Sequence, residues 1–479
     1  MSTSPPILKI PTEVLACIIE GTLWHPKLRG RSDCKALADL QLVCRKWRDV
    51  IQLHMPRLWQ GLCLNYTKRF PSVEILNEWF DRGGTSPLLQ LVISAGSRFR
   101  TAADELPVGF PSFVASRRWK RLELDGLPGT VSCEVLGAAL QEHQMGRGNL
   151  WASVREFAAS IGHVDDRIDL TSMATVLPAL ECLRITAWTM SSRQAQNLTH
   201  PSLVSITLFR CKASSSAFAS VFSENSLPCL QEVIIDSCNR IATTPFHPPE
   251  IRVNRSVERL VIVQGQSIYA LGKITFPNLK FLRLEDTETP IPGNSHERQH
   301  CLYAFARRSC RNVHTLTLED ADQRVEDDAF LIAMSPSLRC LAVRNGDPFS
   351  LIDPAENPLA TLSEIFMRDS PLSQGQNYLP DLNHAPPSSP LVNHVVKYFS
   401  RRWQTSSDDH RPSTVTITSR KPAISRLVLD RAARQMYAEV NRQDLLKAGV
   451  EVVDDHDHWN NPFGSWSATL ARRVNGSGY

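Results

Sequence analysis

The chain has 479 residues, of which 42% are hydrophobic and 21% charged, a composition that excludes wholesale disorder and suits two or three domains or one elongated array. Lys plus Arg (53) and Asp plus Glu (49) leave a net charge of +4, spread without the basic block that nucleic-acid binding needs. Apolar runs such as Val14 to Ile19 are too short to cross a bilayer, and "MSTSPPILK" has no charged-then-apolar signal region. The sequence therefore predicts an intracellular protein, cytoplasmic or nuclear. Its 12 cysteines include no C-x-x-C pair, which predicts buried thiols acting as small hydrophobes and neither a zinc ribbon nor a disulfide framework.

Residues 1–9 form a polar tail expected to be disordered. "IPTEVLACII" follows. Pro11 starts a helix with Glu13 in its first turn, and Val14, Leu15 and Ile18 are expected on one face. After a polar loop, Leu37, Leu40, Val43, Cys44, Trp47, Val50 and Ile51 keep a 3.6-residue period, predicting a second helix that runs until Pro56. Helices in about fifty residues bury little surface alone, so they need a partner or the adjoining chain.

From Trp59 onward a short motif recurs: apolar-x-x-apolar-x-apolar. It starts at Trp59, Leu88, Trp119, Val154, Leu180, Leu203, Leu230, Val257, Leu279, Val313, Leu338, Leu362 and Ile424. The steps from Trp59 to Leu362 run from roughly 22 to 35 residues, within or just beyond the leucine-rich-repeat range. Five copies, beginning at Pro178, Pro201, Pro228, Pro277 and Pro336, read Pro-x-Leu-x-x-apolar-x-apolar. Chance would supply roughly 0.5 of these at average leucine usage. Alternate apolar residues such as Leu183 and Ile185 face one side of a short strand, and the proline ends any helix arriving from the previous repeat. One repeat cannot bury its apolar face, but stacked neighbours can. The copies lack the usual Asn after the strand, and the longest steps predict longer returning helices. "SVEILNEWFDRGG" predicts one return: a Ser72 cap, Val73, Leu76 and Phe80 on one face, and a stop at Gly83 and Gly84.

The last step is anomalous. "LPDLNHAPPSSP" and "QTSSDDHRPS" flank a helically spaced "LVNHVVKYFSRRW", so residues 371–422 are predicted to be an insert or loop with one helix. Residues 423–455 then read as a terminal repeat and cap, ending in a strand after Gly449, and 456–479 as a flexible tail.

The ordered blocks I-P-x-E-V-L-x-x-I-I, L-x-L-V-C-R-K-W-R and P-R-L-W over residues 10–60 resemble an F-box domain. With leucine-rich-repeat-like strands over 61–370, the chain resembles the F-box proteins that carry such repeats. The resemblance implies an α/β fold: a small N-terminal helical F-box followed by an irregular leucine-rich-repeat solenoid of parallel strands with helices or loops on the convex side. It also implies a substrate-recognition subunit of a Skp-cullin-F-box type ubiquitin ligase. Its partners would be a Skp-type adaptor, through it a cullin, and a protein substrate, with no nucleic acid and no membrane. On the family pattern, Ile10, Pro11, Val14, Leu15, Ile18, Leu40, Val43 and Cys44 engage the adaptor, while Trp47 and Trp59 pack the domain. The competing reading makes these helices a private cap on a repeat scaffold.

Strand residues between the inward apolar positions are expected on the binding face: Arg184, Phe209, Asp236, Val263, Arg283, Glu285, Thr317, Glu319, Arg344, Phe366 and Arg368. Their mixed charge suits a protein partner better than a polyanion. Arg184, Arg283 and Arg344 would read phosphate together only if their repeats stack side by side. No G-x-S-x-G, H-E-x-x-H, P-loop or dinucleotide fingerprint occurs, so no enzyme and no cofactor is expected. The one dense set of possible metal ligands, "DDHDHW" with His456 and His458, reads as a solvated acidic stretch, and no metal is expected.

Overall fold

The computed structural model describes residues 10–22, 31–65, 70–84, 88–94, 106–124, 127–146, 148–161, 173–190, 192–240, 251–263, 265–285, 295–319, 337–344, 362–368, 426–429 and 451–454. The chain divides into two compact units. Met1–Ala213 with Asn225–Leu230 form the first, and Ser214–Glu224 with Gln231–Gly478 the second.

The first unit opens with helices α1 (Thr12–Thr22), α2 (Arg31–Val43) and α3 (Arg45–Asp49). A π-helical turn, Val50–His54, and a 3-10 turn, Pro56–Trp59, follow. Leu15, Ile19, Leu37, Val50, Ile51, Met55, Leu58 and Trp59 form one buried cluster, against which Ile10, Leu40 and Trp47 pack. The Trp59 Nε1 donates to the Ile51 carbonyl oxygen at 3.1 Å, so the indole is satisfied as well as buried. The single helix expected from Leu37 to Pro56 is broken at Cys44, whose φ of −165° and ψ of 170° are extended. The apolar period continues across that break because both helices turn the same stripe toward one small core.

Strands β1 (Gly61–Asn65), β2 (Leu89–Ser94), β3 (Trp119–Leu124), β4 (Glu156–Ser160), β5 (Cys182–Thr186) and β6 (Ser205–Phe209) complete the parallel ladder of this unit. Its register aligns Leu122, Phe157, Leu183 and Ile206 in one buried row and Leu124, Ala159, Ile185 and Leu208 in another. The second unit repeats the pattern in β7 (Glu232–Asp236), β8 (Arg259–Val263), β9 (Phe281–Glu285), β10 (Thr315–Glu319), β11 (Cys340–Arg344), β12 (Glu364–Arg368), β13 (Arg426–Leu429) and β14 (Glu451–Asp454). Each is parallel to the next. Every motif start from Trp59 to Ile424 therefore leads into a strand, and β14 is the closing strand expected after Gly449. The architecture is an α/β leucine-rich-repeat-like solenoid. The tail over 1–9, the helix of the 371–422 insert, the helix before Gly449 and the tail over 456–479 lie outside the described residues.

The Pro-x-Leu signature has a local cause. The Leu180, Leu230 and Leu279 N–H groups donate to the carbonyls of Leu177, Leu227 and Phe276 at 3.0, 3.3 and 3.1 Å. Each bond closes a turn with Pro178, Pro228 or Pro277 in its second position, where a fixed φ suits the backbone. The residue after the proline stitches repeats together. Ser202 Oγ donates to the Pro178 carbonyl at 2.8 Å in the first unit, and Asn278 Nδ2 to the Arg255 carbonyl at 2.7 Å in the second.

Past the strands, the chain turns on left-handed residues: Ala187 (φ 55°), Arg210 (φ 53°) and Ser237 (φ 52°). Trp188, Cys211 and Cys238, which follow them, are buried. Leu203-x-x-Ile206-x-Leu208-x-x-Cys211 thus fits the repeat consensus with Cys in the position where Asn is usual. The Cys211 Sγ lies 3.6 Å from the Ile185 carbonyl oxygen of the preceding strand.

Returning helices follow the predicted lengths. In α4 (Val73–Asp81) the Ser72 hydroxyl accepts from the Ile75 N–H at 3.5 Å, Leu76 and Phe80 are buried, and Gly84 has φ 95°. The long steps hold the longest returns of the described repeats: α5 (Gly129–Gln144) and α6 (Ser295–Ser309). Among the described residues no helix is long and apolar enough to cross a membrane. None of the 12 cysteines forms a disulfide, but only Cys211, Cys238, Cys310 and Cys340 are buried, while Cys17 and Cys229 are exposed. The expectation of generally buried thiols is corrected accordingly, since a thiol is small enough to sit at the margin of a packed face.

Candidate protein-interaction surfaces

The helical module presents an apolar face that its own core does not use. On α1, Leu15 and Ile19 point into the cluster at 0% exposure, while Val14 and Ile18 are 49% and 42% exposed. Pro11 and Cys17 are exposed beside them. On α2, Leu42 and Val43 are 75% and 52% exposed, and Leu53 follows at 73%. The Lys46 Nζ donates to the Ile10 carbonyl oxygen at 2.5 Å, holding the start of α3 against the start of α1. Of the residues expected to engage an adaptor, Pro11, Val14, Ile18 and Val43 are thus exposed, and Ile10, Leu40 and Cys44 are half-buried. Leu15 is the correction: it lies in the core and supports the face from beneath. Val14 and Leu15 are adjacent, 100° apart around the helix, so one faces the core and the other does not. Trp59 and Trp47 pack the module, as expected.

The second surface is the outward side of the strands. In the first unit the register sets Glu156, Cys182 and Ser205 in one row, Ala158, Arg184 and Thr207 in the next, and Ser160, Thr186 and Phe209 in the third. Arg121 Nε lies 2.7 Å from Glu123 Oε1 and 3.2 Å from Glu156 Oε2, so its charge is compensated. Farther along, guanidiniums meet an aromatic ring: Arg184 Cζ is 5.6 Å and Arg210 Cζ 4.9 Å from the Phe209 centroid.

In the second unit Asp236 is half-buried and accepts from Ser237 Oγ at 2.8 Å. Arg259 lies 3.5 Å from Glu232 and 5.1 Å from the Phe281 centroid, and Arg283 donates to Glu285 at 3.0 Å. Val263 and Thr317 are buried, so this side is not exposed throughout. Glu319, Arg344, Phe366 and Arg368 hold positions in the register of β10 to β12, and their side chains lie outside the described residues. Arg184 belongs to the first unit and Arg283 and Arg344 to the second, where β10 separates β9 from β11.

Among the described residues no group of three or more His, Cys, Asp and Glu could hold a metal ion. His456 and His458 lie outside those residues. Buried titratable groups serve packing: the Cys310 thiol is pushed up by burial, and the Cys133 thiol is pushed up to about 11, chiefly by burial and then by the neighbouring Glu134 carboxylate.

No protein-family model matches the chain, and no curated protein matches it. Solved structures similar to it include the leucine-rich repeat-containing protein LegL7 from Legionella pneumophila, 12% identical, covering 67% of this chain and 98% of that one at a TM-score of 0.28. Another is the Rad7 and Elc1 complex in yeast, 12% identical, covering 78% of this chain and 97% of that one at a TM-score of 0.29.

Proposed function

We propose that the chain is a substrate-recognition subunit of a Skp-cullin-F-box type ubiquitin ligase. The helices over residues 10–60 dock a Skp-type adaptor, and the repeats bind a target protein. The observation that carries this reading is the exposed apolar face of Pro11, Val14, Ile18 and Val43 on helices whose other side already fills a closed core. Exposed apolar residues grouped on one small module mark a protein contact. The order of the F-box-like blocks supports the same partner. On this reading the chain supplies binding alone, and transfer chemistry belongs to the recruited machinery; neither nucleic acid nor membrane has a role.

Co-purification of the full chain with a Skp-type adaptor tests it. The paired change Val14→Asp and Ile18→Asp leaves the core intact and is expected to weaken binding by about 100-fold, the scale of losing two anchors at a contact. Retained thermal unfolding would show that the fold survives. No association by the unmodified chain would overturn the reading.

A second reading, a repeat scaffold capped by these helices, is favoured by one contact. Trp59 of the module meets Trp79 of α4 edge to face at a centroid distance of 4.8 Å. Deleting residues 1–55 separates the two. A cap leaves the repeats destabilised, whereas a docking module leaves them folded without adaptor affinity.

A further inference from the structure

In the second unit every acidic side chain that the structure describes is already engaged. Glu224 pairs with Arg255 at 3.0 Å, Glu232 with Arg259 at 3.5 Å, Glu258 with Lys280 at 2.6 Å and Glu285 with Arg283 at 3.0 Å, while Asp236 accepts from Ser237 Oγ at 2.8 Å. Arg307, Arg311 and Arg339 are left over: they are exposed and form no ion pair with any described residue. They follow one another along the surface. Arg307 occupies the last turn of α6 with its guanidinium 5.7 Å from the Tyr303 centroid, and Arg311 lies one helical turn on, in the 3-10 turn Cys310–Asn312 that continues the helix. His314 then leads into β10. Its carbonyl accepts from the N–H groups of Arg339 and Cys340, both at 2.9 Å, so Arg339 stands beside it one repeat further along. The preference of helix ends for cations accounts for Arg307, but not for an arginine at the start of the next strand.

We infer that Arg307, Arg311 and Arg339 form a docking rim for an acidic segment of a protein partner, one in which carboxylates recur along an extended chain. Successive steps along the rim are set by a helical turn of about 5.4 Å and a strand spacing of about 4.8 Å, so the guanidiniums are strung out and do not converge on one point. Alternate side chains of an extended peptide project to one side about 7 Å apart, near enough to that pitch for long arginine stems to meet each carboxylate. A single phosphate would instead need converging forks. Tyr303 supports the Arg307 guanidinium through its π-face and leaves the N–H donors free. The rim lacks the wider basic block that nucleic acid requires. On the outward side of the strands Arg259 and Arg283 are answered by Glu232 and Glu285, so the excess of charge belongs to the rim. The inference rests on the repeats binding a protein and is independent of adaptor docking.

The test measures the fluorescence anisotropy of labelled peptides with the full chain. One peptide alternates glutamate and serine, a second carries glutamine in place of glutamate, and a third is the glutamine peptide with a single phosphoserine. The glutamate peptide is expected to bind about tenfold tighter than the glutamine peptide in about 50 mM salt, and the advantage to fall several-fold by about 300 mM. The double change Arg311→Gln and Arg339→Gln is expected to remove most of the advantage, and Arg311→Lys with Arg339→Lys to keep part of it. Neither side chain ion-pairs with a described residue, so thermal unfolding should be unchanged and a lost preference is not lost folding. Arg118→Gln, which alters an exposed arginine of the first unit, should leave the preference intact. Equal binding of the glutamate and glutamine peptides, an unchanged preference in the double variant, an equal loss in Arg118→Gln, tighter binding of the phosphoserine peptide, or displacement by a short single-stranded oligonucleotide more readily than by unlabelled glutamate peptide would overturn the inference. Adaptor co-purification reads the helical module alone, so failure of one leaves the other standing.

Discussion

The Lys46 ammonium donates to the Ile10 carbonyl across 36 residues of sequence, at 2.5 Å. This bond fixes the entry to α1 against the start of α3, just past the break at Cys44. Lys46→Met keeps the aliphatic stem and removes the donor. Its expected cost is about 1 kcal/mol, because the pair is half-buried. Hydrogen exchange should show the α1 amides losing about fivefold protection while those of β3 to β6 stay unchanged. Uniform loss across both would show that the module and repeats open together.

Arg308 performs a different task in the second unit. Its Nη2 donates to the carbonyls of Leu271, Gly272 and Ile274 at 3.0, 3.1 and 3.2 Å, and its Nε to Thr275 Oγ1 at 3.1 Å. The Leu271 and Gly272 carbonyls lie in the last turn of the 3-10 segment Gly265–Lys273, where intrahelical donors run out, and Ile274 lies in the two-residue strand that follows. Burial lowers the Arg308 pKa, and the group still stays charged. Arg308→Met leaves the carbonyls without their donor and should destabilise the protein by about 3 kcal/mol, read as a lowered urea midpoint. Arg308→Lys should recover only part, because an ammonium cannot reproduce the planar fork.

The repeats were legible because a strand of alternating apolar residues needs only its own sequence to be recognised, and the proline turn before Leu180, Leu230 or Leu279 marks where it begins. The exposed apolar side of the helical module was legible only in outline. Val14, Leu15, Ile18 and Ile19 are all apolar, so periodicity cannot say which adjacent pair enters the core. Packing against Leu37 and Ile51 decides for Leu15 and Ile19. The Cys44 break was hidden because the apolar stripe crosses it without a change of period. Arg184 and Phe209 were expected on one side of the strands, whereas the approach of Arg210 to the same ring depends on the left-handed turn that follows β6. Cys211 and Cys238 stood in the consensus position and were missed because Asn was sought there.

Thiol reactivity should follow burial. Cys17 and Cys229 are exposed, whereas Cys133 is pushed up to about 11 by burial and Cys310 is pushed up further. Iodoacetamide at pH 8 should label Cys17 and Cys229 first, with Cys211, Cys238 and Cys310 labelled only on unfolding, as resolved by peptide mass spectrometry. Cys17 stands beside Val14 and Ile18 on the exposed side of α1, so adaptor bound there should shield it selectively. Equal labelling of Cys17 with and without adaptor would count against that site.

His200 makes the fold sensitive to mild acid. It is 2% exposed, and its Nε2 donates to the Leu177 carbonyl at 2.9 Å, a bond that fixes the neutral tautomer across neighbouring repeats. Burial lowers its pKa below 6.5, partly opposed by that bond, which favours the charged form. The unfolded chain, titrating near 6.5, therefore binds more protons than the folded one in the interval below that value. The contribution of neutral His200 is fully present above about pH 6.5 and declines as pH falls through the unfolded value toward the folded one. Urea midpoints should stay level from pH 8 to 7 and drop between pH 6.5 and 5. His200→Gln keeps a side-chain donor but cannot titrate. It should flatten that drop while lowering the midpoint at pH 8 by no more than about 1–2 kcal/mol in stability, the scale of one imperfectly replaced buried bond. An undiminished drop in the variant would assign the acid sensitivity to other groups.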